Sequence, residues 1–224
     1  MLYRKQNKGQ KMIKPNEYVN LKNKIHELIS VYKSVNDKNV VTTIKNDTFA
    51  LGVQYGIEQT DEWKHLVQAV DEISCSHQKA DKFLLGIETL VVPFAMPSTK
   101  QIGKLFKKYK KVPDFEQSEF DLYETSYLGV NDTGNAKKFL ILPNSEGQLF
   151  GVIGDFDVQV VNGLCAVCHT IGNVSLFSTK VKQRGANGNY VKRGNYICRH
   201  SENCNHQLVD LENLYNFTDS VVKY

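Results

Sequence analysis

The sequence predicts an α+β protein in which an N-terminal helical bundle is followed by a mixed α/β domain with a four-cysteine finger. Three observations predict this fold class. Apolar residues recur at helical spacing through the first part of the chain, short strand-like runs follow Pro113, and two pairs of cysteines come last. We expect a disordered tail over residues 1–11, a helical domain over 12–92, and a C-terminal domain over 93–224 with the finger at 165–224.

The apolar pattern of the N-terminal part predicts four helices. The first helix has one apolar face, formed by Tyr18, Leu21, Ile25, Leu28, Ile29, Tyr32 and Val35. Residues 40–57 also suit a strand, because they are rich in β-branched residues and contain Gly52 and Gly56, but we predict a helix. Thr60 is a suitable N-cap for a third helix. A fourth helix presents Phe83, Leu84, Ile87, Leu90 and Val91 to the predicted bundle core.

Pro93 and Pro97 interrupt the helical pattern and mark the predicted domain boundary. A capping box formed by Ser98 and Gln101 then predicts a helix that continues through Tyr109. No acidic residue lies between positions 97 and 113, and the outer face of the helix carries Lys100, Lys104, Lys107, Lys108, Lys110 and Lys111. Such a run is typical of a solvated surface, and a patch that contacts an anionic partner is the second interpretation.

The hydrophobic period changes from helix to strand in the C-terminal part. Three strands are predicted near residues 126–130, 138–142 and 148–153, with turn residues at 131–134 and 143–147 between them. Together they form an antiparallel meander that leads into the cysteines.

The four C-terminal cysteines have the spacing of metal ligands. Only two residues separate Cys165 from Cys168, and Cys198 is followed by Cys204. A tight knuckle can direct both sulfurs of such a pair at one ion, and four thiolates match the tetrahedral geometry of zinc. Four ligands leave no open coordination position, so we predict one structural Zn²⁺. Four buried free cysteines are the alternative interpretation.

The sequence around the cysteines predicts a treble-clef finger. Strands are expected over 174–182 and 190–197, and a helix follows whose first turn carries Cys204. His169, His200 and His206 lie beside the cysteines and can each replace a ligand, although we expect them to be bystanders. The fifth cysteine, Cys75, is predicted to pack in the helical core.

The finger is basic and contains aromatic residues. No acidic residue lies between positions 158 and 201, and the positive charges are Lys180, Lys182, Arg184, Lys192, Arg193 and Arg199. Tyr190 and Tyr196 lie among them, on one face of the second strand by alternation, and at least one is expected in the core. Such a surface suits an acidic protein or a nucleic acid.

Composition and motifs exclude several classes of protein. Of 224 residues, 41% are hydrophobic and 23% charged, and the net charge is +4, as in an ordinary globular protein. The longest apolar stretch, residues 90–96, falls short of the roughly 20 residues that cross a bilayer. Residues 1–14 lack the apolar core of a signal peptide, so we expect a cytoplasmic protein. We find no phosphate-binding loop, nucleophile elbow or deaminase motif, and therefore predict no enzyme activity.

Specific motifs of the chain resemble those of the FusB-type fusidic acid resistance proteins, also called elongation factor G-binding proteins. In the finger and last helix they are NVSLF at 173–177, YVKRGNYICR at 190–199, CNHQL at 204–208 and LYNF at 214–217. Earlier in the chain they are VYKSVND at 31–37, VVPFAMPS at 91–98 and KLFKKYKKVPDF at 104–115. The resemblance covers nearly all of the chain from Met12.

The resemblance implies a function in translation. Members of the family bind elongation factor G and promote its release from ribosomes stalled by fusidic acid, without altering the drug. It implies a monomer that reaches the ribosome through elongation factor G, with no membrane and no small-molecule substrate. The partner-binding residues carried over on matching motifs are Arg193, Tyr196 and Phe217, with Leu164 where the family often has an aromatic residue.

Two other functions compete with this one. A zinc-finger RNA-binding protein acting on ribosomal RNA would use the basic hairpin and the lysines of residues 100–111. An enzyme that modifies the drug is the third possibility, and it predicts a change in the mass of fusidic acid.

Overall fold

The computed structural model of the chain describes residues 11–182 and 190–222, without the side chains of residues 181, 182 and 190. Its contacts form two compact units, Met1–Pro93 and Phe94–Tyr224. The predicted tail lies outside the described residues except for Lys11. Within those residues, no helix combines the length and the apolar character that crossing a membrane requires.

The described part of the first unit, residues 11–93, contains four helices, as predicted. They are α1 (Pro15–Ser34), α2 (Lys38–Tyr55), α3 (Asp61–Val70) and α4 (His77–Glu88). Their apolar faces enclose one core, which includes Leu21, Ile25, Trp63, Leu66, Leu84, Ile87 and the spare cysteine, Cys75. The helical spacing of apolar residues therefore identified the core face of the bundle.

The two glycines that made the prediction of α2 ambiguous are each required by the structure, for different reasons. A Cβ atom on Gly52 would lie 2.4 Å from the indole of Trp63, so the absence of a side chain lets α3 pack closely. Gly56 ends the helix in the left-handed conformation, with φ of 65°. Thr60 then caps α3 as predicted, because its side chain accepts a hydrogen bond of 3.2 Å from the backbone N–H of Trp63.

The second unit is built on an antiparallel sheet. Its strands are β1 (Leu128–Asp132), β2 (Lys137–Pro143), β3 (Leu149–Phe156), β4 (Val161–Leu164), β5 (Ile171–Lys182) and β6 (Tyr190–Cys198). Its helices are α5 (Thr99–Leu105), α6 (Ser201–Asn205) and α7 (Leu211–Val222), and single 3₁₀ turns lie at Gln117–Glu119 and Thr133–Asn135. An α+β fold is thus confirmed.

The long strand β5 organises the sheet. The strand order is β1-β2-β3-β5-β4, and β6 pairs with the other edge of β5 from Val174 to Lys182. Alternation along β2 sends Leu140 to the face covered by α7 and Phe217, and sends Phe139 to the face covered by Phe106. Strand β2 is therefore buried on both faces.

The structure corrects the predicted length of α5. Its capping box is present, but the helix ends at Leu105 rather than Tyr109. Phe106 leaves the helical conformation, with φ of −116° and ψ of 32°, and its buried ring stacks on Phe115 at a centroid distance of 6.1 Å. Because the helix ends there, the last four of the six lysines follow it and do not form part of a helical face.

Strand β4 was not predicted from the sequence. It has only four residues and contains Asn162 and Gly163, which are typical of a turn. It pairs with the start of β5, where Leu164 lies opposite Ile171. Backbone pairing with the start of β5, rather than local preference, makes it a strand.

Candidate metal centre and partner-binding surface

Three elements bring the four cysteines together. Cys165 and Cys168 lie in the turn between β4 and β5, Cys198 is the last residue of β6, and Cys204 lies in α6. All four are buried, and their sulfur atoms lie within 4.8 Å of one another. The order of knuckle, β-hairpin and short helix is that of a treble clef.

Backbone geometry shapes the first knuckle. The N–H of Cys165 donates to the carbonyl of Thr170 at 3.0 Å, and His169 adopts a left-handed φ of 55° that turns the chain back. The backbone N–H groups of Val167 and Cys198 donate to Cys165 Sγ at 3.4 and 3.3 Å. Such donors stabilise a thiolate, so the loop is built for a negatively charged sulfur.

The sulfur positions fit a tetrahedral ion. The Sγ atoms of Cys165 and Cys204 are 3.8 Å apart, and those of Cys168 and Cys198 are 3.7 Å apart. A tetrahedron with metal–sulfur bonds of about 2.3 Å has edges of about 3.8 Å. Both distances match that edge, and the donor set is purely sulfur. The four buried cysteines are therefore able to hold a metal ion.

Electrostatics favours a cation between the sulfurs. Contacts from Cys168, Cys198 and Cys204 lower the pKa of Cys165. The pKa of Cys204 is raised, first by its contact with Cys165 and then by the other two sulfurs. One ionised sulfur thus opposes ionisation of its neighbours, and a divalent cation removes that opposition.

The neighbouring histidines stay outside the sulfur cluster. Within the described ranges, the one group of at least three residues arranged to ligate a metal consists of cysteines alone. His200 and His206 instead line a cavity of about 410 Å³ beside α6, and His206 Nε2 is 3.4 Å from the carboxylate of Glu124. His169 serves the knuckle through its backbone conformation.

Three of the four predicted partner-binding residues lie at the surface. The side chains of Leu164 and Tyr196 are 58% and 46% exposed, and Arg193 is exposed on β6. Tyr196 is therefore not a core residue, and the side chain of Tyr190 lies outside the described part of the chain, so a core tyrosine in this strand stays a prediction. Two apolar residues that we did not single out accompany them, since Ile171 lies opposite Leu164 and Leu176 lies opposite Tyr196.

Phe217 is placed differently from the other three. Only 3% of it is exposed, and its ring packs against Phe177 at a centroid distance of 6.1 Å. In this structure Phe217 is a core residue that holds α7 against the sheet, and its predicted contact with a partner stays a prediction.

The basic residues of the hairpin form a surface with little compensation. Lys192 lies 3.2 Å from Asp155, which also pairs with Lys137. Arg199 donates to the backbone carbonyl of Asp157 at 2.7 Å, and no carboxylate pairs with it in the described part of the chain. Positive charge and exposed apolar side chains therefore lie on the same hairpin.

Comparison with known proteins agrees with this architecture. Residues 12–95 match the family described as elongation factor G-binding protein, N-terminal. The solved structure of the fusidic acid resistance protein FusC superposes with a TM-score of 0.84 and 29% sequence identity, covering 96% of this chain and 100% of that chain. No curated protein sequence matches. The family match to the helical unit and the structural match across both units show that the chain resembles the FusB-type fusidic acid resistance proteins.

Proposed function

We propose that this protein binds translation elongation factor G and promotes its release from ribosomes stalled by fusidic acid. The observation that carries the proposal is the structural match to FusC, which extends over both units and 96% of the chain. The match of residues 12–95 to an elongation factor G-binding domain supports the same partner. The proposed resistance works by target protection, without catalysis, in a cytoplasmic monomer.

The proposed roles of the parts follow the domain limits expected from the sequence, 12–92 and 93–224. One Zn²⁺ held by the four cysteines would fix the β5–β6 hairpin relative to α6. That hairpin presents Arg193 and Tyr196, while Leu164 extends the apolar surface next to the knuckle. A rigid basic surface with aromatic and aliphatic anchors suits a protein partner, because anchors that need no reordering lose little entropy on binding.

Release of the factor must come from differential binding. The protein can shift elongation factor G off the ribosome only as far as it binds a released conformation more tightly than the stalled one. We therefore propose that the bound protein stabilises a conformation of the factor that is incompatible with the stalled complex.

Two measurements on purified components test the proposal. Size-exclusion chromatography with elongation factor G at micromolar concentration should give a co-eluting complex. Sedimentation of ribosomes carrying the factor, GDP and fusidic acid should then show the factor moving to the supernatant when the protein is added. Absence of a complex would overturn the proposal. A complex that leaves the sedimented fraction unchanged would limit the function to binding.

A second candidate function rests on the lysine-rich segment, residues 100–111. Its six lysines are exposed, and none of their side chains makes an ion pair or hydrogen bond with another described residue. They supply six positive charges to a chain of net charge +4, so the rest of the chain has a net charge of −2. Concentrated charge of this kind favours a contact with RNA phosphates.

Salt dependence separates this candidate from the first. If all six lysines contact single-stranded RNA, the logarithm of affinity should fall with the logarithm of salt concentration with a slope of about −4. Fluorescence anisotropy with a labelled ribosomal RNA fragment measures that slope. Replacing the last four lysines by glutamine should flatten it, and an RNA affinity that these substitutions leave unchanged would exclude the segment.

A further inference from the structure

A lysine is buried against the backbone that directly follows one of the four cysteines, Cys198. Lys138 lies on β2 and has no exposed surface. Its Nζ donates to Asn131 Oδ1 and to the backbone carbonyl of Arg199, both at 3.0 Å, and lies 4.6 Å from the centre of the Phe156 ring. These partners are all uncharged. The site therefore satisfies hydrogen bonds of the ammonium group without neutralising its charge.

The neighbouring residue shows how unusual this arrangement is. Lys137 is on the same strand, its side chain is 38% exposed, and it pairs with the carboxylate of Asp155. No carboxylate pairs with Lys138 in residues 11–182 and 190–222. A buried charge without an opposite charge is strongly unfavourable, so a counter-charge is required nearby.

A second cation nearby increases the need for a negative counter-charge. Arg199 lies over the same Phe156 ring at 5.0 Å. Burial lowers the pKa of Lys138 to about 8, and Arg199 adds to the lowering, whereas Cys204, Cys198 and Cys165 raise it. The lysine thus keeps most of its charge near neutral pH. The groups that favour this charge are the cysteines of the cluster.

Charge counting identifies the counter-charge. Four thiolates and one divalent ion leave the metal centre with two negative charges in excess, in a buried site where solvent cannot screen them. We infer that the Lys138 ammonium is the counter-ion of this dianionic centre and a positioning residue for one of its ligands. This inference rests on the proposed metal centre.

The positioning role follows from the hydrogen bonds. Arg199 directly follows Cys198, and its carbonyl accepts from both Lys138 Nζ and Asn131 Nδ2, each at 3.0 Å. Asn131 and Lys138 are themselves paired across β1 and β2. The meander therefore holds the backbone beside the third ligand, and Lys138 adds its charge at the same point. Partners of this kind outside the ligand shell orient ligands and raise metal affinity.

Zinc affinity of the full chain tests the inference, measured by competition with a chromophoric chelator. Lys138→Met keeps the length and apolar stem and removes the charge, so we expect affinity to fall about 10- to 100-fold. Lys138→Arg keeps the charge and should recover part of that loss. Lys137→Met removes the neighbouring, exposed charge and should leave zinc affinity unchanged. Equal affinity of wild type and Lys138→Met would overturn the inference.

A double-mutant cycle separates charge from packing. Cys198→His lowers the excess negative charge of the centre from two to one, so removal of Lys138 should cost less affinity in that background. The same fold-loss in both backgrounds would mean that Lys138 acts through packing alone, and this would overturn the counter-ion role. A wild-type chain that binds no zinc would instead refute the proposed metal centre, a failure that chelator competition shows directly.

Discussion

The two units of this protein use buried cysteine in opposite ways. In the helical unit, Cys75 is a single thiol among apolar side chains, and burial is the main cause that raises its pKa. In the second unit, four cysteines converge within 4.8 Å and form part of a core that also contains Phe177 and Phe217. The first unit has a core made mainly of apolar side chains, whereas the second places a polar cluster that is able to hold a metal ion inside its core.

This difference teaches where each unit obtains its stability. A helical bundle is stabilised by the continuous apolar faces of its helices and by short connections, and its core needs no ligand. The finger has short elements, α6 with five residues and β4 with four, which cannot bury enough surface by themselves. We therefore expect metal removal to unfold the finger and to leave the helical unit folded.

Metal removal should have the largest effect. Chelation, or Cys198→Ser, should unfold residues 161–222 with a loss on the order of 10 kcal/mol, because structural zinc supplies folding energy of that size in isolated fingers. The four helices of the first unit should persist. Hydrogen exchange followed by mass spectrometry reports on each segment. Cys75→Ala is the matched control, and protection of the finger should survive it. Protection lost equally in both units would contradict the comparison.

Phe217→Ala tests how much of the second core depends on packing rather than on the metal. The ring is 3% exposed and contacts Phe177, so truncation should cost about 3–5 kcal/mol. Thermal unfolding of the zinc-loaded chain measures the loss, and Phe217→Leu should cost less. If the variant instead melts like wild type and fails to bind elongation factor G, the side chain acts at the surface after all.

The sequence predicted the elements that follow from local periodicity and spacing. Apolar residues such as Leu21 and Ile25 recur at helical intervals, and the spacing of Cys165 and Cys168 indicates a knuckle whatever surrounds it. Long-range packing decided the rest. The end of α5 depends on where Phe106 packs, and the burial of Phe217 depends on the sheet beneath α7. The burial of Lys138 could not be predicted, because a lysine in a strand is expected at the surface unless its three-dimensional neighbours are known.

A pair of glycine substitutions tests how tightly the helices of the first unit pack against each other. Gly52→Ala places a methyl group against Trp63 and should destabilise the chain by about 1–3 kcal/mol. Gly103→Ala, in α5, adds the same methyl group where no atom lies within 4 Å. It should be neutral or stabilising by up to about 1 kcal/mol, because alanine favours a helix. Chemical denaturation measures both, and a tolerated Gly52→Ala would show that the α2–α3 contact is looser than described.

Substitutions in the exposed β5–β6 hairpin should have the smallest effect on stability and a clear effect on binding. Tyr196→Ala and Leu176→Ala truncate opposed side chains that are 46% and 38% exposed. Truncating an anchor at the centre of an interface costs about 1–2 kcal/mol or more of binding free energy, which is roughly a 5- to 30-fold loss of affinity. Isothermal titration calorimetry with elongation factor G measures it.

The control for the hairpin is an exposed apolar residue away from it. Val53, on α2, is 68% exposed, and Val53→Ala should leave the affinity for the factor unchanged. Because Leu176 and Tyr196 lie directly opposite each other on β5 and β6, their side chains are neighbours on one face. Their losses should therefore not add, and the double variant should bind better than the product of the single losses predicts. Full additivity would mean that the two side chains contact the partner independently. Unchanged affinity in both single variants would show that the contact surface for the factor lies outside the β5–β6 hairpin.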